Sequence, residues 1–454
     1  MLAVSVIVYL CITLFVGYLA SKKVQNATDF ALAGRKLPLF MSSAAFFATW
    51  FGSETVLGAS GEFIEHGLVG VIEEPLGAAL CLILVGVFYA RKIYRSNNMT
   101  FSDLFRERFG ARAELISALV MIPSFFSWIA AQFLALGLIF QLIFGIDLNI
   151  AILFSALLVM CYTALGGMWA VSITDSIQTI VIVVGMIVVL VLLSGYLGSD
   201  EVWRGLPEDH FSLISTEKVS WWEWFGAWMT VGLGAIASQD IFQRVTAARS
   251  EKVAISAAVI SGLLYLIIGF IPLFIGLIGS QVFPELYALH KENFISALIL
   301  YKTPEWIRIL FFGALVSAIL STASGALLAP STVLAENILK PRIPQYNLLK
   351  MMRWSVVFMT FSSLLLAFNN QSIFDLVGLA SSFGLVSLFL PFTFTLFIPA
   401  TNSQGVIAGM LMGLSFWAIA EAVSTDIPGI YYGLCGSFAG LMIGIFFFKR
   451  VFSE

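Results

Sequence analysis

Ala48-Thr49-Trp50-Phe51-Gly52-Ser53-Glu54-Thr55 sets a glycine, three hydroxyls and a carboxylate inside an otherwise apolar run, Leu39–Ser60, with Gly58 and Gly61 beyond. The run matches the ~20 residues that a membrane-spanning helix needs. A second stretch of this kind, Gly232-Leu233-Gly234-Ala235-Ile236-Ala237-Ser238-Gln239-Asp240, lies inside the run Phe225–Val245. Unwound backbone at membrane depth is tolerated only where it lines a cavity or is buried in protein. A pair of interrupted helices, one in each half of a chain, points to a central binding site between inverted repeats. Unbroken helices packed through small residues are the alternative reading.

Working outward, hydrophobic residues make up 59% of the 454-residue chain and charged residues 11%. A soluble domain carries ~25% charged residues, so a water-soluble globule is excluded. Thirteen apolar spans are expected: Ala3–Ala20, Leu39–Ser60, Leu68–Ala90, Leu115–Phe144, Asn149–Leu165, Val171–Leu197, Phe225–Val245, Val253–Val282, Ile307–Leu339, Leu348–Phe368, Ile373–Ile398, Val406–Ala422 and Ile430–Phe448. With the N-terminus outside, only Arg204, Lys218, Lys291, Lys302 and Arg308 of the 24 lysines and arginines remain outside. The positive-inside rule therefore predicts N-out and C-in, and the odd number of spans agrees.

Phe101–Gly110 reads as a short amphipathic helix on the cytoplasmic surface. The outer loop Gly198–Trp224 carries Trp203, Trp221, Trp222 and Trp224, a pattern of interfacial anchoring. Cys11, Cys81, Cys161 and Cys435 sit in apolar runs and read as packing residues. His66, His210 and His290 fall in expected loops and do not cluster, so enzyme chemistry is disfavoured. No basic patch with interleaved aromatics points to nucleic acid. The N-terminus has no basic n-region and no small-residue cleavage site, so the first span reads as a retained helix.

One further stretch, Gly166-Gly167-Met168-Trp169-Ala170-Val171-Ser172-Ile173-Thr174-Asp175-Ser176-Ile177-Gln178, resembles a long signature of the sodium:solute symporter family. Phe242-Gln243-Arg244 and Ala318-Ile319-Leu320-Ser321-Thr322 match the family in the same order. The resemblance covers nearly the whole chain. It implies an all-α polytopic fold with thirteen transmembrane helices and a LeuT-like five-plus-five inverted repeat. Residues 1–37 would be a peripheral helix and loop, 38–198 the first repeat, 199–400 the second, and 401–454 two peripheral helices.

The resemblance also implies a site for Na+ as transported coupling ion. It would use the carbonyls of Ala48, Phe51 and Ala318 and the hydroxyls of Ser321 and Thr322. Sodium is a hard cation that takes oxygen ligands, and a helix break frees carbonyls from the helical ladder. From the residues alone, Ser321 and Thr322 could equally bond back to the preceding turn. Asp175 and Ser324 would lie on the ion path. Gly325 stands where members with a second sodium site have a serine, so one sodium per cycle is expected.

Within the family, Ala48-Thr49-Trp50 resembles the same triplet of high-affinity choline transporters, and Trp128 falls where these have a cage tryptophan. Ser238 replaces a third tryptophan, and Ala78 a tyrosine. The resemblance to sugar-transporting relatives gives Glu74 a solute-bonding role. The expected solute site is Trp50, Glu54, Glu74, Trp128, Ser238, Gln239 and Asp240. Tryptophan faces with nearby carboxylates suit a small polar or cationic organic solute. Those acids could instead bond neighbouring helices and serve gating. A sodium-coupled symporter working by alternating access is the main expectation. A transporter-like solute sensor, a passive channel-like path, or a proton-coupled symporter of an amino acid, sugar or carboxylate are the others. The partners expected are a small solute and the lipid bilayer, in a monomer or weak homo-oligomer, and the short loops suggest a bacterial inner membrane.

Overall fold

The computed structural model describes residues 1–197, 203, 205–214, 219–369 and 372–447. Four of the basic residues behind the orientation, Arg204, Lys218, Lys449 and Arg450, lie outside these residues, as do Gly198 and Phe448. Among the described residues, ten helices are long and apolar enough to cross a membrane: Leu2–Ser21, Glu54–Ser96, Ala111–Phe144, Leu148–Leu192, Glu251–Val282, Glu305–Leu339, Leu348–Ala367, Ile373–Phe397, Ser403–Val423 and Gly429–Phe446. Among the described residues there is no strand, and a single two-bond bridge joins Leu37 to Ala247 and Arg249.

Burial ranks these helices. In Glu305–Leu339, 83% of the apolar window is buried, against 22% in Leu2–Ser21 and 28% in Ser403–Val423. The first is therefore central and the other two are peripheral. Helix starts are written locally. Thr100, Ser220, Ser250, Asn347, Ser372 and Asn402 each accept, through the side chain, the backbone N–H three residues on. Such caps satisfy donors that have no partner within the helix.

Both expected interruptions are present. The first broken helix runs Leu39–Trp50, opens at Phe51 (φ −80°, ψ 78°), and resumes from Glu54. The second runs Trp221–Gly234, tightens over Ala235–Ala237, becomes extended at Ser238 (φ −112°, ψ 151°), and resumes as Gln239–Ala247. The two lie side by side and antiparallel. Trp50 meets Asp240, Arg244 meets Thr49 and Ala45, and Ala247 meets Leu37.

Two glycine turns fall between stretches that the sequence reading kept apart, Asn149–Leu165 from Val171–Leu197 and Leu39–Ser60 from Leu68–Ala90. Gly167, inside Leu148–Leu197, adopts φ 49° and bends that helix, and Phe30 fills the space where a Cβ would stand. Gly67 adopts φ 72°, and a Cβ there would lie 2.2 Å from the His210 carbonyl oxygen. Glycine alone suits both. The segments Ala27–Leu32 and Phe294–Lys302, outside every expected span, are helices that bury Phe30, Ala31 and Leu32 in the first and Phe294, Ile295, Leu298 and Ile299 in the second. The amphipathic helix is Phe101–Phe109, with Phe101, Leu104 and Phe105 buried.

Candidate transport site

The breaks open onto one cavity at the heart of the bundle. Trp50, Glu54, Glu74, Trp128, Ser238 and Asp240 all line it, joined by Ser124 and Phe125 from Ala111–Phe144 and by Ser381 and Leu388 from Ile373–Phe397. Six of the seven expected solute residues are thus brought together. The seventh, Gln239, does not line the cavity. The extended backbone at Ser238 turns the next side chain away, and Gln239 Oε1 accepts from the Phe101 N–H at 2.6 Å.

Three carboxylates face this space, and their exposures are 2% for Glu54, 4% for Glu74 and 1% for Asp240. A buried charge needs hydrogen bonds or a counter-charge. Here neutral donors provide the bonds. Glu54 accepts from Trp128 Nε1 at 3.2 Å, Gln132 Nε2 at 2.9 Å and Ser53 Oγ at 3.3 Å. Glu74 accepts from Tyr265 Oη at 2.7 Å, and the same hydroxyl reaches the Trp50 carbonyl oxygen at 2.8 Å. Asp240 accepts from Trp50 Nε1 at 2.9 Å and from the Ser238 hydroxyl. Among the described residues, none of the three forms an ion pair. Gln132 and Tyr265 were not anticipated. Each is a lone polar side chain in an apolar span, and that is the one signal that could have found them.

At its break, the first broken helix meets Glu305–Leu339. The Gly52 N–H, which an unbroken helix would hand to Ala48, bonds the Trp50 carbonyl at 3.0 Å instead. The freed Ala48 carbonyl lies 3.1 Å from Thr322 Oγ1, which is also 3.1 Å from the Ala318 carbonyl. Three neutral oxygens therefore converge. Gly52 permits the approach, since a Cβ there would lie 2.6 Å from Thr322 Oγ1. Ser321 turns to the neighbouring helix and donates to Asp175 Oδ1. Asp175 Oδ2 is buried without a protein hydrogen bond among the described residues. Ser324 returns to its own helix, bonding the Ser321 carbonyl at 2.9 Å. Phe51 closes the first half-helix.

Arg244 crosses the same region wholly inside the protein. Its guanidinium donates to the Ala45 carbonyl at 3.1 Å, to Thr49 Oγ1 at 2.9 Å and to the Asp240 carbonyl at 2.9 Å. It thereby ties one broken helix to the other.

Two antiparallel broken helices around a central cavity, with freed carbonyls beside hydroxyls, define a membrane transporter of LeuT-like fold. The chain belongs to the sodium:solute symporter family, whose model matches residues 30–413. Membership makes Na+ the coupling ion and transport, not catalysis, the class of function. The chain is 25% identical to the high-affinity choline transporter 1 of Caenorhabditis elegans, over 94% of this chain and 79% of that one. It is 28% identical to the sodium/proline symporter of Haemophilus influenzae, over 96% and 92%. Its fold matches that of a Na+-coupled sialic acid symporter in a substrate-bound, outward-open state. The TM-score is 0.85 at 20% identity, covering 99% of this chain and 98% of the other.

Proposed function

We propose that the protein imports a small organic cation, or a polar solute bearing an amine, together with sodium. One observation carries this reading: Glu54, Glu74 and Asp240 face one cavity, and each is held by neutral donors rather than by a cation of the protein. Such a cavity has negative charge to offer. Trp50 and Trp128 border it, and aromatic faces attract ammonium groups. Choline and proline, the solutes named for two relatives, both carry a positively charged nitrogen. An anion such as sialic acid fits this lining less well.

Sodium would sit among Ala48, Phe51, Ala318, Ser321 and Thr322, and Asp175 would receive it on the way inward. The ten long helices become thirteen crossings on three conditions. The helix from Glu54 to Ser96 is divided at His66, Leu148–Leu197 is divided at Gly167, and Trp221–Ala247 is counted as one. With the basic end cytoplasmic, the N-terminus is outside. Placement in a bacterial inner membrane completes the reading.

The test is uptake into proteoliposomes under an inward sodium gradient, with a panel of amines, amino acids, sugars and carboxylates. Sodium-driven accumulation of an amine-bearing solute is expected. Accumulation only of anions or neutral sugars would overturn the solute class. Uptake that follows a proton gradient and ignores sodium would overturn the ion site.

A further inference from the structure

We propose that Gln239 is a positioning residue of transport: it latches the second broken helix to the amino end of Phe101–Phe109 and holds the inner path shut until solute and sodium are both bound. The inference rests on the symport reading and orientation above.

Gln239 stands between two cavity residues, Ser238 and Asp240, yet is fully buried on the other side of the backbone. Its Oε1 accepts from the Phe101 N–H at 2.6 Å. That N–H is among the first four of its helix, which have no partner inside the helix. The amino end of one element is therefore completed by a side chain 138 positions away. Gln239 Nε2 has no hydrogen bond among the described residues, so the latch is a single acceptor and can be released cheaply.

A second strap reaches the same helix end. Thr100 Oγ1 donates to Asn337 Oδ1 at 2.8 Å, and Asn337 Nδ2 donates to Asp103 Oδ1 at 2.7 Å and Glu114 Oε1 at 2.9 Å. Asn337 lies at the end of Glu305–Leu339, the helix that carries Thr322. Phe101 itself packs against Phe392 and Phe242, with ring centroids 4.7 Å and 6.4 Å away. One short helix is thus held at one point by the helix that lines the cavity and at another by the helix of the sodium site. A ligand shifts a conformational balance only by binding its two states unequally. Solute acting on Ser238 and Asp240 moves Gln239 directly, and sodium acting on Thr322 moves Asn337 along a continuous helix. With either strap still closed, Phe101–Phe109 stays in place, and sodium alone does not pass.

The experiment uses the full chain in proteoliposomes. It reads radiosodium influx without organic solute, and hydrogen exchange at the Phe101 amide. Gln239→Leu removes the acceptor. It is expected to speed Phe101 exchange and to raise solute-independent sodium influx about fivefold, the factor that loss of one ordinary hydrogen bond produces. Gln239→Glu keeps the acceptor and is expected to restore wild-type influx. The latch is overturned if Gln239→Leu leaves Phe101 exchange unchanged, if exchange rises with no added influx, or if Gln239→Glu leaks as much as Gln239→Leu. Failure of the wild-type protein to couple sodium to any solute of the panel would instead overturn the symport reading.

Discussion

The guanidinium of Arg244 occupies the space beside Gly325: a Cβ at position 325 would lie 2.4 Å from Arg244 Nη2, and 3.0 Å from Thr49 Cγ2. The glycine on the central helix is what lets a buried arginine lie between the two broken helices. A serine hydroxyl at this position, as a second sodium site would need, has no room while Arg244 keeps its three partners.

The clash begins at Cβ, so Gly325→Ala and Gly325→Ser are expected to destabilise alike, by about 1–3 kcal/mol, as overpacking does. Thermal unfolding of the purified protein checks this. A neutral Gly325→Ala would mean that Arg244 yields at no cost. The matching functional expectation is one sodium per solute in the wild type, read from the ratio of radiosodium to solute flux.

Thr322 is the hydroxyl at which the Ala48 and Ala318 carbonyls converge. Thr322→Ala removes the oxygen, while Thr322→Ser keeps it. Half-saturating sodium for uptake is expected to rise at least about tenfold in the alanine variant, the effect of one strong polar contact, and to change little in the serine variant. Equal effects of the two would point to packing rather than ion binding.

In the proposed reading, Glu54 and Glu74 supply negative charge to the cavity they line. Glu54→Gln and Glu74→Gln keep shape and lose charge, so each is expected to weaken uptake of a cationic solute by roughly ten- to a hundredfold, the range for contacts to charged groups of ~1.5–3 kcal/mol. Competition by neutral solutes should change far less. Similar losses for charged and neutral competitors would assign the acids to helix packing.

Tyr265 bonds Glu74 and the Trp50 carbonyl with one hydroxyl. Tyr265→Phe takes the hydroxyl donor from the buried Glu74 carboxylate, while the Trp50 carbonyl keeps the Gly52 N–H, and should cost about 1–3 kcal/mol of stability. Solute affinity should fall with it, because the hydroxyl holds the carboxylate at the break. A fully stable variant with unchanged affinity would show that water replaces the hydroxyl.

Much was legible in the chain itself. Length and apolarity marked the long helices, because a span needs an uninterrupted apolar run. The breaks at Ala48–Thr55 and Gly232–Asp240 were legible because glycines, hydroxyls and acids have no reason to face lipid. Glu54, Glu74 and Asp240 stood out for the same reason. The helices at Ala27–Leu32 and Phe294–Lys302 were missed, since short segments carry little periodicity and take their stability from the core they cover.

What the sequence by itself determined, then, was the solvent for each segment and the places where the helical ladder had to stop. Only the tertiary structure decided which groups meet there. Glu54 finds Gln132, 78 positions on, and Glu74 finds Tyr265, 191 positions on. Of three consecutive residues, Ser238 and Asp240 face the cavity while Gln239 faces Phe101. Local pattern cannot hold such facts, because a side chain's partner depends on how separate helices cross, and those crossings are chosen by packing over the whole bundle.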